Sequence, residues 1–284
     1  MRTEVVGHGG VRLGLRVEGT ENSRPIVFVH GWAQSSGCWA AQLADPALTE
    51  RFRLVAVDLR GHGASDVPAS GRADEPSAGK RASGYDDPRV WADDLAAVLD
   101  FAGPDAIVVA WSYGGLVLTD HIRVHGTARL RGLVLVGAIT EIGRDRPGGR
   151  VGSLMREHMR AMLSDDPDIA IPALTAFNRE MTARPVPGAQ AQALLGASLS
   201  VPPSVRAALF RRDIGSEEVL PAIDKPTLVL HGSHDRVIDS TAAKHAIGKI
   251  PGAVGRWFLG GGHAPFAESA DEFDAVLRQF AEEC

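Results

Sequence analysis

The sequence predicts an α/β fold, a doubly wound and mostly parallel sheet with an inserted helical cap. Short apolar runs of strand length alternate with segments of helical period over residues 25–137 and again over 221–284. Those runs end in glycine-containing turns, as strands do when they feed helices across a parallel sheet. Between the two stretches, residues 138–220 lose the strand pattern and show only helix-like segments separated by prolines. The core is therefore assigned to 1–137 and 221–284, and the cap to 138–220.

Each element has its own justification. Leu13, Leu15 and Val17 alternate with polar or small residues, as in an antiparallel edge strand. Pro25-Ile26-Val27-Phe28-Val29 is continuously apolar, which suits a strand covered on both faces and opens the parallel region. Further strands are expected near 53–57, 106–111, 130–136, 227–231 and 254–259, with helices at 88–101, 113–125 and 267–282. In the cap, helices are expected near 153–163, 167–181, 188–199 and 202–210. The segment 64–84 is rich in Ser, Ala, Gly, Pro and charge and longer than most structureless connections. It leaves the carboxyl end of a strand, so it belongs near the mouth of a pocket, as a gate or as a surface loop.

Composition narrows the function classes. At 284 residues, 44% hydrophobic and 23% charged, the chain suffices for one large core plus a cap. A net charge of -5 argues against nucleic acid or an anionic membrane as the main partner, and leaves a small-molecule substrate. Oligomeric state leaves no mark in the sequence. Cys38 and Cys284, the two cysteines, form no disulfide framework and no metal quartet. With no apolar signal-like region after Met1 and no apolar stretch of about 18 residues, a cytoplasmic location and no membrane association are expected.

The chemistry is concentrated in a few motifs. Ala110-Trp111-Ser112-Tyr113-Gly114-Gly115 follows the strand-like run Ala106-Ile107-Val108-Val109 and opens a helix. A serine at the tip of such a turn takes a strained backbone conformation, and the residues two positions to either side must be small, a demand that Ala110 and Gly114 meet. This is a nucleophile elbow with alanine in place of its first glycine. Such a serine needs an acid and then a histidine later in the chain. Asp235 lies just beyond the strand-like run ending at His231, and His263 lies in the glycine-built loop Gly260-Gly261-Gly262-His263-Ala264-Pro265-Phe266. The expected order is Ser112, Asp235, His263.

His30-Gly31-Trp32 follows the first buried strand, and its glycine lets backbone N–H groups turn inward. Oxyanion donors are then expected at the backbone N–H groups of Trp32 and Tyr113, the latter also favoured by the helix dipole. The side chains of Trp32 and Tyr113 are left free to shape a pocket, joined there by Phe266. In the cap, Met155, Met159, Met162 and Met181 are four of the five methionines. Flexible thioethers suit an adaptable apolar pocket, so Met155 and Met159 are expected against substrate; the same helical stripe could instead pack the cap against itself.

Other signals are weaker. His121 and His125 have zinc-like spacing, but Ile122 stands where a metalloprotease helix carries Glu, so no metal site is assigned. Gly79-Lys80 is followed by Arg81 and lacks the upstream glycine of a phosphate loop. No cofactor is expected. Asp239 rivals Asp235 by position, while His30 is expected to brace the oxyanion loop and His62 to be structural.

Together with Val55-Ala56-Val57-Asp58-Leu59-Arg60-Gly61-His62-Gly63, these segments resemble the α/β-hydrolase superfamily over residues 25–137 and 221–284. His30-Gly31-Trp32 with His263-Ala264-Pro265-Phe266 looks most like its serine carboxylesterases, the branch that includes pimeloyl-carrier-protein methyl ester hydrolase and the cofactor-free haloperoxidases. The resemblance implies hydrolysis of a carboxylic ester or related acyl bond through an acyl-enzyme. Two alternatives stay open: a carbon–carbon bond hydrolase with the same triad, or a non-catalytic ligand receptor on this fold. A serine at the elbow separates the chain from the dehalogenase and epoxide hydrolase branches, which use aspartate there.

Overall fold

The computed structural model describes residues 1–68 and 84–284. Most of the segment 64–84, considered above as a gate, lies outside the described residues. The strands are β1 (Arg2–Val6), β2 (Arg12–Gly19), β3 (Pro25–Val29), β4 (Arg53–Val57), β5 (Ala106–Trp111), β6 (Leu130–Val136), β7 (Thr227–Gly232) and β8 (Val254–Phe258). They form one eight-stranded sheet in the order β1-β2-β4-β3-β5-β6-β7-β8. The pairs from β4 to β8 are parallel, while β1 with β2 and β2 with β4 are antiparallel. The expected α/β class is therefore the observed one.

Every residue of β3 and β5 is buried, which is why both read as unbroken apolar runs. One expectation is corrected. The strand at Leu13, Leu15 and Val17 is not at the edge: β1 lies outside it, and β2 is paired on both sides.

Helices α1 (Ala40–Ala44), α2 (Pro46–Thr49), α3 (Pro88–Ala102) and α4 (Tyr113–His125) precede β6, and α9 (Ser240–Lys249), α10 (Pro265–Glu268) and α11 (Ala270–Glu283) follow β7. They flank the sheet in groups: α3 packs on α4, while α1 and α2 pack on α11. Local signals set their ends. Asp87 caps α3 by accepting from the Arg89 N–H, with Pro88 in the first turn, and Asp239 caps α9 in the same way through Thr241.

Between the adjacent strands β6 and β7 the chain inserts α5 (Ser153–Met162), α6 (Pro167–Glu180), α7 (Gly188–Ser200) and α8 (Pro203–Ala208). Two isolated antiparallel bridges, Ile142 with Ile214 and Val151 with Ile238, tie the base of this insertion together and to the loop after β7. No single helix among the described residues is long and apolar enough to cross a membrane.

Candidate active site

Ser112 stands between β5 and α4 with φ 54° and ψ -118°, a conformation that side-chain-bearing residues rarely adopt. The surroundings hold it there. Its N–H donates to the Val136 carbonyl at 3.0 Å, and its own carbonyl accepts from Gly115 and Ile139 at 3.0 and 3.1 Å. A Cβ on Gly114 would approach the Val29 carbonyl oxygen to 2.7 Å, and one on Gly31 would approach Ser112 Cβ to 2.9 Å. Small residues at these points let the turn and the β3 loop meet.

Asp235 follows β7 in a tight turn, with its N–H on the Gly232 carbonyl at 3.1 Å. One carboxylate oxygen accepts from the Val237 and Ile238 N–H groups at 2.8 and 3.0 Å, and the other faces His263 Nδ1 at 2.8 Å. Burial pushes the Asp235 carboxyl up, but the facing imidazole and its hydrogen bond outweigh it and hold the pKa below its ordinary value. His231 stands 3.8 Å from the same carboxylate and is kept neutral by burial.

The loop carrying His263 is pinned from several sides. The His263 N–H donates to the Met181 carbonyl at 2.8 Å, and its carbonyl accepts from Trp111 Nε1 at 2.9 Å. The Glu268 carboxylate accepts from the N–H groups of Gly262, Ala264, Ala183 and Arg184, joining the loop to the chain just after α6. A lone glutamate after a glycine loop carries no sequence pattern, so the role of Glu268 emerges only from the fold.

The loop after β3 is held as tightly. His30 Nε2 accepts from the Leu59 N–H at 3.0 Å, which leaves Nδ1 as the donor to the Gly31 carbonyl at 2.7 Å. Asp58 accepts from Ser36 and Ala64 N–H groups at 2.6 and 2.9 Å, so the acid of the Asp58-Leu59-Arg60-Gly61 segment is a scaffold for this loop. Neither the Trp32 nor the Tyr113 backbone N–H donates to a protein group among the described residues. Both remain available to a ligand oxygen.

Ser112 and His263 line one cavity, partly open to solvent. Trp32, Tyr113 and Met155 line it as expected from the sequence, and Gln34, Phe177, Met181, Phe210 and Ile238 were not anticipated. The last five come from the insertion and from loops whose partners only the fold brings together.

Two expected contacts are absent. Met159 does not line the cavity; one turn beyond Met155 on α5, it is half-buried against the core. Phe266 is fully buried away from the cavity, with its ring 4.3 Å from that of Trp39 and 4.9 Å from that of Trp111, and so supports the His263 loop from behind. The Trp32 indole donates to the Arg206 carbonyl at 3.0 Å, and the Tyr113 hydroxyl donates to the Leu209 carbonyl at 3.2 Å, so both side chains also anchor the insertion.

Asp239 accepts from the Thr241 N–H and serves as the N-cap of α9, while His263 pairs with Asp235. His121 and His125 are engaged separately, with Ala92 and with Asp93, and the described residues contain no cluster able to hold a metal ion.

A strained serine at the carboxyl edge of a parallel sheet, with a buried carboxylate–imidazole pair facing its cavity, defines a hydrolase-type site on an α/β scaffold. Residues 26–276 match the Alpha/beta hydrolase family, to which the chain therefore belongs. Among solved structures it is similar to an esterase from Rhodococcus sp. ECU1013, at 45% identity, with 98% of each chain covered and a TM-score of 0.87. Among curated proteins it is similar to a non-heme haloperoxidase of Rhodococcus erythropolis, at 27% identity over 92% of this chain and 93% of that one. It is also similar to a pimeloyl-[acyl-carrier protein] methyl ester esterase of Nitrosomonas europaea, at 29% identity over 91% of this chain and 96% of that one. The protein is an enzyme of the hydrolase class.

Proposed function

We propose that the protein cleaves a carboxylic ester of a small, largely apolar substrate through an acyl-enzyme on Ser112. The observation that carries this reading is the Asp235–His263 pair, 2.8 Å apart, with His263 and Ser112 lining one mostly apolar cavity. With Nδ1–H committed to Asp235, His263 Nε2 is free to take the Ser112 proton as Oγ attacks the carbonyl. The developing oxyanion falls to the Trp32 and Tyr113 N–H groups, whose availability is fixed before substrate arrives. His263 then returns the proton to the leaving alkoxide, and a water activated by the same imidazole releases the acid.

Esterase relatives and neighbours support ester chemistry in particular. The helical insertion would act as a cap, a reading supported by Met155 on α5 and Phe177 on α6 among the residues that line the cavity with Ser112. Hydrolysis of p-nitrophenyl esters graded from acetate to decanoate tests the proposal. Measurable turnover is expected, with KM falling as the acyl chain grows until the cavity is full. A protein that binds these esters or their acids and releases no p-nitrophenol is a receptor, and the proposal fails.

A further inference from the structure

The described walls of the cavity are mostly apolar. Besides Ser112 and His263, its walls include Trp32, Ile139, Met155, Phe177 and Ile238, and among the described residues no carboxylate lines it. Gln34 is one exception. It lines the cavity, yet it is only 3% exposed.

Its amide has one admissible orientation. Nε2 donates to Ser198 Oγ at 2.9 Å, to Asn178 Oδ1 at 3.2 Å and to the Leu194 carbonyl at 3.3 Å. A carbonyl only accepts, so exchanging the amide nitrogen and oxygen would set two oxygens against each other at Leu194. The partners are fixed in turn. Asn178 Nδ2 donates to the Leu174 carbonyl at 2.9 Å and to Ser198 Oγ at 3.0 Å, while the Ser198 hydroxyl donates to the Ala33 carbonyl at 2.9 Å. This network ties the loop after β3 to α6 and α7, and every polar side-chain atom in it is engaged except Gln34 Oε1, which accepts from no protein group among the described residues.

Leaving a buried amide oxygen unpaired costs about 1–3 kcal/mol, and the tie to the insertion needs only the nitrogen. The nitrogen is committed to α6 and α7, so of the two amide atoms the oxygen alone keeps unused hydrogen-bonding capacity on a residue that lines the cavity. We propose that Gln34 determines specificity by accepting, at Oε1, a hydrogen bond from a neutral donor carried by an otherwise apolar substrate, a hydroxyl or an amide N–H. Among the described residues the walls carry no carboxylate, which favours a neutral donor over an ammonium group. This inference rests on the ester-hydrolase reading above.

The test uses the full-length enzyme and matched substrates. Methyl butanoate, pentanoate and hexanoate are compared with counterparts carrying one hydroxyl walked along the acyl chain, and propyl butanoate with the butanoate of ethylene glycol. The readout is the ratio of kcat/KM for hydroxylated over plain ester, in the wild type and in Gln34→Met, which keeps the side-chain length and removes the acceptor. At one hydroxyl position the wild-type ratio is expected to exceed the variant's by about ten-fold, the equivalent of one well-made hydrogen bond. Equal ratios at every position overturn the proposal and leave Gln34 a structural peg.

Because Gln34→Met also removes the ties to α6 and α7, a second arm leaves Gln34 intact. Binding of the same pairs to Ser112→Ala is measured by calorimetry, with tighter binding of the hydroxylated ester expected and equal binding overturning the proposal. Wild-type protein that cleaves none of these esters contradicts the esterase reading instead, and the binding arm then decides the role of Gln34 alone.

Discussion

At the scale of single residues, the two aspartates after β7 hold different partners. Asp235 holds His263 Nδ1 at 2.8 Å, whereas Asp239 accepts from the N–H and hydroxyl of Thr241 at the start of α9. Asp235→Asn is expected to lower kcat by about 10³- to 10⁴-fold, because an amide cannot fix the imidazole tautomer or stabilise its charged form. Asp239→Asn keeps a good N-cap and should leave kcat within about two-fold of wild type. Steady-state kinetics on one ester decides; a dead Asp239→Asn enzyme would reassign the acid.

The offset of Asp235 from the end of the strand was legible in the sequence, because a strand end followed by a tight turn constrains where a carboxylate can go. Gln34 and Glu268 were not legible. Their roles depend on partners 144 to 164 and 84 to 85 positions away in the chain, as with Asn178 and Ser198 for the first and Arg184 and Ala183 for the second.

At the scale of elements, strand period and capping residues located most of the secondary structure, since buried parallel strands are apolar throughout and helices begin at Asp or Pro. β1 escaped because its residues Arg2–Val6 are alternately exposed and half-buried, with a mostly polar face. The methionine stripe on α5 was visible, but not its depth. Met155 reaches the cavity, Met159 one turn on is half-buried outside it, and Met162 is fully buried in the core. A helical face specifies direction, and only tertiary packing specifies how far along it a cavity extends.

Replacing Met155 and Met181 together by Gln is therefore expected to flatten the fall of KM with acyl length, which at about 0.8 kcal/mol per buried methylene is roughly four-fold per carbon. Met159→Gln should leave that slope unchanged. KM series for the two variants, taken with their melting temperatures, check this. A uniform rise in KM for every ester accompanied by a large drop in Tm would mean that the methionines only pack the insertion.

At the scale of the whole molecule, buried titratable groups set the pH range of stability. Burial pushes His30 down to about 4 and His62 to about 3, from an ordinary 6.5. The folded state then binds fewer protons than the unfolded one below pH 6.5, so this contribution is present above pH 6.5 and is lost as pH falls through about 4. Asp274 acts in the opposite sense. Its carboxyl, buried beside Gln42 on α1, is raised to about 7 from 3.8, so its contribution is full below pH 3.8 and is lost as pH rises through about 7.

Asp274→Asn keeps an acceptor for Gln42 and removes the carboxylate. Its gain in Tm over wild type is expected to be larger at pH 8 than at pH 5, as read by calorimetric melting at the two values. An equal gain at both would show that Asp274 does not titrate in this range.

The central claim, that Ser112 is the nucleophile of an ester hydrolase, is tested most directly by covalent capture. The wild-type protein and Ser112→Ala are incubated with diethyl p-nitrophenyl phosphate, and intact and peptide masses are measured. Attack by Oγ expels p-nitrophenolate and leaves one diethylphosphoryl group on the serine. The account requires one such group per wild-type chain, mapped to Ser112 and matched by loss of esterase activity, and none on Ser112→Ala. Labelling at another residue, or undiminished ester hydrolysis by Ser112→Ala, would contradict it.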